Sequence, residues 1–225
     1  RIPSKITARS IRNAFFVTAG FYAIAFVLVL LLYDDPPRHP ASVDQADSGR
    51  AIARAILGKP GFLLVMTAIF GITFVDRSFG PILPLYVQRL GFQTGSVALV
   101  SGILFSASAV GAALGNQACD AMLRRWSARA VIAVSLLLAG VALAVFLLLG
   151  GALGLALALA LFGAGIGVGT TAAYTVGGRQ VPEGAHGTGF GLLTGSALAG
   201  LAISPAVCGL LSRGTLLTVF ALDLA

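Results

Sequence analysis

Residues 151–174 read "GALGLALALALFGAGIGVGTTAAY", a stretch of 24 residues without a charged side chain. A helix needs about 20 consecutive apolar residues to cross the hydrocarbon core of a bilayer, and this stretch meets that length. Similar runs recur along the chain of 225 residues, of which 57% are hydrophobic and only 10% charged. A soluble domain typically carries about 25% charged residues. The sequence therefore predicts an all-α, polytopic membrane protein.

Six complete spans and a partial seventh are predicted. They lie at residues 13–33, 61–87, 95–117, 129–149, 151–174 and 188–212, and the partial span lies at 215–225. Most connections are short, but residues 34–60 hold four of the nine prolines and half of the eight acidic residues, so they must be solvated. The chain starts at Arg1 and stops inside an apolar run. We therefore expect it to be a fragment of a longer protein.

The distribution of Lys and Arg predicts the orientation, because cytoplasmic loops carry an excess of both. The side that holds residues 34–60 carries eight Lys and Arg residues, and the loops between spans on the other side carry two. If the four basic residues before the first span are included, the other side carries six. We expect residues 34–60 to be cytoplasmic. Within them, residues 50–57, "RAIARAIL", form a basic amphipathic stretch. This stretch fits either a helix lying on the inner leaflet or a solvated turn.

Charge and motif content exclude several classes of function. The net charge of +7 comes from basic residues in short loops, where they set topology and meet anionic head groups, so no nucleic-acid partner is predicted. The sequence has no nucleotide-binding loop and no metal motif, so no cofactor or metal is expected. An intramembrane enzyme is disfavoured, because Asp76 and Asp223 are the only carboxylates within spans and no histidine is near either. A transporter and a non-transporting scaffold or sensor remain open.

Span 61–87 contains two adjacent charges, Asp76 and Arg77. Asp76 lies about 22 Å along this helix at about 1.5 Å per residue, past the bilayer midplane. One such charge at a helix centre costs about 2.5–3.5 kcal/mol in lipid, so both are expected to face the bundle interior or a neighbouring helix. Adjacent residues point about 100° apart, which predicts that the two do not pair with each other. Either they line a cavity or outer gate, with Thr73 in the sector between them, or they tie two helices together.

The same span carries further candidates for a substrate path or gate. Pro81 and Pro84 remove backbone donors and, with Gly80, predict a bendable outer half of the helix. The alternative is that the membrane-spanning helix ends near Gly80. The aromatic residues of this span hint at amphipathic organic compounds rather than sugars, although aromatic residues in spans commonly serve packing. They are Phe70, Phe74, Phe79 and Tyr86.

Rows of small residues predict close helix packing, because lipid offers no hydrophobic drive for helices to associate. Gly111 and Gly115 form one such row. Gly187, Gly191 and Gly195 form another, here named the Gly187 row.

Three stretches together resemble the major facilitator superfamily. Residues 181–211, "VPEGAHGTGFGLLTGSALAGLAISPAVCGLL", are similar to the turn into the family's eleventh helix, with Ser204 before Pro205 where a Gly is common. "GPILPLYVQRLG" resembles the outer half of the seventh helix in drug-efflux-like members. "GNQACDAMLRRWSARAVI" resembles the family's charged cytoplasmic loop, although no Arg directly follows its acidic residue. The corresponding residues are Gly115, Asp120, Arg125 and Arg129.

The resemblance implies an architecture and a function. Residues 1–33 correspond to the sixth helix, 34–60 to the cytoplasmic linker between halves, and 61–225 to most of the carboxyl-terminal half. It implies secondary active transport of small organic molecules by alternating access, with proton-coupled efflux expected. The expected location is a bacterial inner membrane, with the missing amino-terminal half as partner. In such exporters that half often holds the proton-coupling carboxylates. A truncated, non-transporting scaffold or sensor is the alternative.

Overall fold

The structure, a computed structural model, describes residues 4–32, 45–91, 94–149 and 151–211. Within these ranges every regular element is an α-helix, and six of the seven helices are long and apolar enough to cross a membrane. The helices are α1 (Ser4–Leu32), α2 (Gln45–Leu57), α3 (Pro60–Arg89), α4 (Thr94–Arg125), α5 (Ala128–Leu148), α6 (Ala152–Gln180) and α7 (His186–Leu211). The prediction of an all-α, polytopic fold is confirmed. The partial span predicted at 215–225 lies outside the described residues.

The chain forms two compact units, residues 1–45 and 46–225. The first contains α1, whose described side chains at residues 15–32 are all exposed, and the second contains the other helices. The boundary falls within residues 34–60, the segment that the sequence assigns to the linker. Most of α2 therefore belongs to the same compact unit as the helices that follow it.

Local signals explain several helix ends. Pro60 occupies the first turn of α3, where its missing N–H would have no helical partner. Ser127 caps α5, since its side chain accepts a hydrogen bond from the backbone N–H of Ala130 at 3.3 Å. Gly91 follows α3 with a φ of 86°, and Gly184 stands in the turn before α7 with a φ of 83°. Glycine adopts such positive φ values without the steric penalty of a Cβ.

Helix α6 is central to the second unit and contacts α3, α4, α5 and α7. Its closest approach is to α4, where Gly111 and Gly115 face Gly163 and Gly167 of α6. A Cβ added to any of these four would overlap a backbone carbonyl of the opposite helix. The carbonyls belong to Ala160, Ala164, Ser108 and Ala112, in that order. The absence of side chains thus lets the two backbones touch along several turns.

A second pair of helices, α3 and α7, is joined by hydrogen bonds from side chains to the backbone. The contact row on α7 consists of Ser196, Gly200 and Ser204, here named the Ser196 row. Ser196 Oγ donates to the Met66 carbonyl at 2.6 Å, and Ser204 Oγ donates to the Phe74 carbonyl at 2.7 Å. A Cβ added to Gly200 would lie 2.6 Å from a carbonyl oxygen of α3. These bonds satisfy the hydroxyl of the buried Ser204 and that of the partly buried Ser196, and they join the two helices.

The Gly187 row differs from the sequence expectation. Gly187, Gly191 and Gly195 lie on an exposed face of α7, and an added Cβ would find no atom of another residue within 4 Å. The packing expected for this row is therefore not found among the described residues. The Ser196 row makes the contact instead, and it lies one residue further along the chain, about 100° around the helix axis.

Helix α2 is neither a solvated turn nor a helix detached from the bundle. Ile56 is 1% exposed and belongs to a buried cluster with residues of α3, α6 and α7, among them Phe62 and Leu193. Arg50 and Arg54 lie on its exposed side. Just beyond α2, Lys59 Nζ donates to the Gln180 carbonyl at 3.0 Å. Helix α2 thus packs its apolar face against the bundle at the end where α3 begins and α6 ends.

Candidate functional site

All seven residues predicted for a substrate path or gate lie on α3. The helix continues past Gly80 through Pro81 and Pro84 to Arg89, whereas its candidate membrane span is Pro60–Gly80. The alternative that the membrane-spanning part ends near Gly80 therefore stays a prediction. Pro84 is half-buried, while the side chain of Pro81 lies outside the described set. Of the other five, Phe70, Thr73, Phe74 and Arg77 are spaced along one face of the helix, and Asp76 lies about 100° around the axis from Arg77.

Asp76 and Arg77 form an ion pair, contrary to the prediction that they would not pair. Arg77 Nε lies 3.4 Å from Asp76 Oδ2, and the two side chains are 56% and 34% exposed, respectively. The Cβ atoms diverge, but the long, flexible arginine side chain bends back over one residue. The distance exceeds the 2.7–2.9 Å or so of a charge-assisted hydrogen bond, so the pair is loose.

Asp76 lies at a narrow cleft where α3, α4 and α6 meet. The cleft has a volume of about 30 Å³, and Ser108 of α4 supplies the other polar side chain of its lining. Its remaining lining residues are Phe79, Leu83, Phe105, Leu159 and Phe162. A cavity needs roughly 10–15 Å³ by this kind of measure to hold a water molecule. The cleft is therefore of a size for water beside the carboxylate.

Phe70 and Phe74 line a different cavity. It is open, has a volume of about 660 Å³ and lies between α3, α5, α6 and one residue of α7. Phe70 and Phe74 of α3 border it with their rings stacked at a centroid distance of 6.1 Å, opposite Leu136 and Leu143 of α5. All of its lining residues are apolar or glycine. Thr73 is half-buried and, like Arg77, lines neither cavity. The structure thus places Phe70 and Phe74 at one cavity and Asp76 at another.

Phe79 divides the two regions. It is 4% exposed, and its ring lies 4.8 Å from that of Phe162 and 6.3 Å from that of Phe146, measured between centroids. Phe162 borders both the cleft and the larger cavity. The charged pair is thus backed by packed aromatic rings rather than by other polar groups.

The described bundle has six helices of membrane-spanning length, a charged pair within one of them and close packing through small residues. Comparison with known protein families agrees with this architecture. The sequence model of the Major Facilitator Superfamily matches residues 5–220. The chain belongs to the major facilitator superfamily. It is accordingly an integral, multi-pass membrane protein of a transporter family, which is not a class of enzymes. No curated protein matches it at a significant level.

The charged loop of this major facilitator chain is mostly helical. Asp120 and Arg125 lie in the last turns of α4 and Arg129 in the first turn of α5. Asp120 accepts hydrogen bonds from Arg124 Nη2 at 2.7 Å and Nε at 3.0 Å, and both side chains are largely exposed. Arg125 and Arg129 are exposed, and neither forms an ion pair within the described part of the chain. The carboxylate is thus paired along its own helix.

Several residues that shape this helical bundle escaped the sequence analysis. Ser108 and Phe105 of α4 complete the Asp76 cleft, but nothing local marks which residues of α4 face α3. Thr171 Oγ1 of α6 donates to Asn116 Oδ1 of α4 at 2.9 Å, a contact that nothing in either segment indicates. The Ser196 row had a usable signal, because its small residues are spaced four apart like those of the Gly187 row. In the described residues, no group of three or more His, Cys, Asp or Glu side chains is placed to hold a metal ion.

Proposed function

We propose that the chain is the carboxyl-terminal half, with the preceding helix, of a proton-coupled exporter that moves amphipathic organic molecules by alternating access. The observation that carries the proposal is the half-exposed Asp76–Arg77 pair within the apolar helix α3. Two lipid-facing charges at this depth would cost several kcal/mol, at about 2.5–3.5 kcal/mol each. An aqueous path along this face of α3 removes that cost.

The partners of Arg77 support a functional role over a structural tie. A tie between helices requires a counter-charge on another helix, but among the described residues its ion-pair partner is Asp76 on the same helix. More than half of the arginine side chain is exposed. Its five donors in a planar fork suit a carboxylate or phosphate of a substrate, or an acidic group of the opposite half.

The substrate class follows from the apolar residues of α3. Phe70 and Phe74 border an open cavity without polar side chains. Sugars need several hydrogen-bond partners when they leave water, and this lining offers none from side chains. Together with the nearby charged pair, this supports molecules that combine an aromatic or aliphatic body with a polar or ionised group.

The amino-terminal half of the same protein is the proposed partner surface. The Gly187 row forms a flat, exposed strip on α7, and nothing within the described residues covers it. Halves of major facilitator transporters face each other across a central cavity and rock around it. A strip without side chains permits close contact with a second bundle while the two surfaces change their relative tilt.

Transport assays on the full-length protein test this proposal. The protein is reconstituted in liposomes, or produced in a bacterial inner membrane, and the movement of a panel that includes ethidium and sugars is followed with and without a pH gradient. We expect gradient-dependent movement of amphipathic compounds but not of sugars. Compound movement at the same rate with and without the pH gradient would contradict proton coupling. The absence of transport for every compound would favour the scaffold or sensor alternative.

A further inference from the structure

We infer that Asp76 is the group that binds the coupling proton and that Arg77 is its displaceable counter-charge. The inference rests on the proposed function and assigns coupling to the carboxyl-terminal half of the protein. It stands on three observations about the cleft where α3, α4 and α6 meet. These are its size, its polar groups and the charges that face it.

The size and polar groups of the cleft select a proton over a metal cation. Hard cations such as Ca²⁺ and Mg²⁺ take about six or more oxygen ligands. The cleft of about 30 Å³ offers the Asp76 carboxylate and the Ser108 hydroxyl, and its other lining side chains are apolar. A water molecule fits beside the carboxylate, and it supplies a route for a proton.

Arg77 is the charged group that a change in the protonation of Asp76 affects most directly. The cleft-lining residues from α4 are Phe105 and Ser108, and those from α6 are Leu159 and Phe162; none of these four titrates. On α3 the charged neighbour is Arg77, at 3.4 Å. Gain or loss of one proton therefore changes the balance of the pair without compensation from another side chain that lines the cleft.

The proton step is a simple exchange of partners. A proton delivered by water forms an O–H bond with one Asp76 oxygen, and the carboxylate becomes a neutral carboxylic acid. The ion pair with Arg77 breaks, while the guanidinium keeps all its protons and its positive charge. The pair changes from net neutral to singly positive, and the freed Arg77 can bind an acidic group of the opposite half. Loss of the proton restores the pair.

Transport by the full-length protein in liposomes tests the inference, with ethidium as the probe. Asp76→Asn removes the titratable group but keeps a similar shape, and Asp76→Glu restores a carboxylate. We expect Asp76→Asn to lose accumulation driven by a pH gradient, down to the level without a gradient. It should keep the exchange of labelled for unlabelled ethidium, and Asp76→Glu should recover part of the driven transport. Glu183→Gln is the matched control, because this carboxylate is exposed in the turn between α6 and α7.

Two results would overturn the inference. One is unchanged gradient-driven accumulation by Asp76→Asn. The other is loss of exchange together with accumulation in a variant of normal abundance and thermal stability, which would assign the carboxylate to substrate binding. Infrared difference spectra of the purified protein between neutral and acidic buffers give a readout that does not need transport. The band of a protonated carboxylic acid that belongs to Asp76 should vanish in Asp76→Asn and persist in Glu183→Gln, and its absence from the unmodified protein would also refute the inference.

This second readout separates the two levels of the argument. If the unmodified protein moves no compound but its spectrum shows the Asp76 band, then the proposed transport fails and the proton site stands. If transport depends on the pH gradient but Asp76→Asn behaves like the unmodified protein, then the proposed function stands and the assignment to Asp76 fails.

Discussion

At the scale of single residues, Arg77 shows how side-chain length overrides backbone direction. The Cβ atoms of adjacent helical residues point about 100° apart. Its guanidinium nevertheless reaches Asp76, and the long Nε–Oδ2 distance of 3.4 Å leaves the pair easy to open. A loose pair within one helix adds little to the packing between helices. We therefore expect Arg77 to matter more for transport than for stability.

Substitutions at Arg77 test that expectation. Arg77→Lys keeps the charge but loses the planar fork, and Arg77→Ala loses both. Both variants of the full-length protein should reach the membrane in normal amounts and lose transport of ethidium, measured per molecule from assayed abundance. Thermal unfolding should change by less than about 0.5 kcal/mol, as for ordinary surface positions. Reduced abundance of Arg77→Ala with normal transport per molecule would instead indicate a structural tie.

At the scale of helices, two kinds of contact hold the described bundle together. The α4–α6 pair interlocks through backbone contact at four glycines, whereas α3 and α7 are joined by serine hydroxyls that bond to backbone carbonyls. Both contacts need small residues at intervals of four. Glycines at the same spacing but on an uncovered face, such as the Gly187 row, contribute nothing to them.

Two Gly→Ala variants distinguish a glycine in the α4–α6 contact from a glycine on an uncovered face. Gly163→Ala places a Cβ against the Ser108 carbonyl, and backbone on both sides leaves no flexible atom to move aside. We expect a loss of about 1–3 kcal/mol in the free energy of unfolding, as for other overpacked sites. Gly102→Ala on α4 adds the same atom where no other group lies within 4 Å, so it should lower the free energy of unfolding by no more than about 0.5 kcal/mol. Equal unfolding curves in detergent for the two variants would contradict the structure at the α4–α6 contact.

At the scale of the whole molecule, α2 is the element for which the structure differs most from the sequence expectation. It lies in the segment assigned to the linker, yet Ile56 packs into a cluster with α3, α6 and α7. A displacement of α2 would therefore disturb its packing against three other helices. Ile56→Ala should lower the free energy of unfolding by about 2–5 kcal/mol, the usual cost for a buried isoleucine. Ile103→Ala is the control, since Ile103 is 54% exposed on α4.

Thermal unfolding of both isoleucine variants in detergent provides the measurement. A control variant that is as unstable as Ile56→Ala would show a general effect of the substitution. Stability of Ile56→Ala equal to that of the unmodified protein would show that α2 does not pack on the bundle.

Orientation in the membrane is a further property of the whole molecule, and it stays a prediction from the loop charges. A cysteine at Ser48 in α2 should react with a membrane-impermeant reagent only from the cytoplasmic side. A cysteine at Gln88, exposed near the other end of α3, should react only from outside. The native Cys119 and Cys208 are buried, so their background is low. Labelling of the cysteine at position 48 from outside intact cells would show that the orientation is the opposite of the predicted one.

The sequence by itself determined the class of fold and the positions of the spans. Length and hydropathy act locally, and a run such as residues 151–174 crosses a bilayer whatever its neighbours are. The family followed from the order and spacing of loosely matching motifs. The presence of charges within α3 was visible too, because an ionised group in an apolar run is costly in any packing.

Tertiary structure alone decided which faces meet. Helix α7 has small residues on several sides, so its sequence permits contact through either the Gly187 row or the Ser196 row. In the structure the Ser196 row contacts α3, because its serine hydroxyls bond to backbone carbonyls of that helix. The cleft at Asp76 likewise exists only because Ser108 and Phe162 arrive from two other helices. Periodicity specifies the angle of a residue around its own axis. The rotation of one helix against another depends on contacts summed over all of them, which no single segment contains.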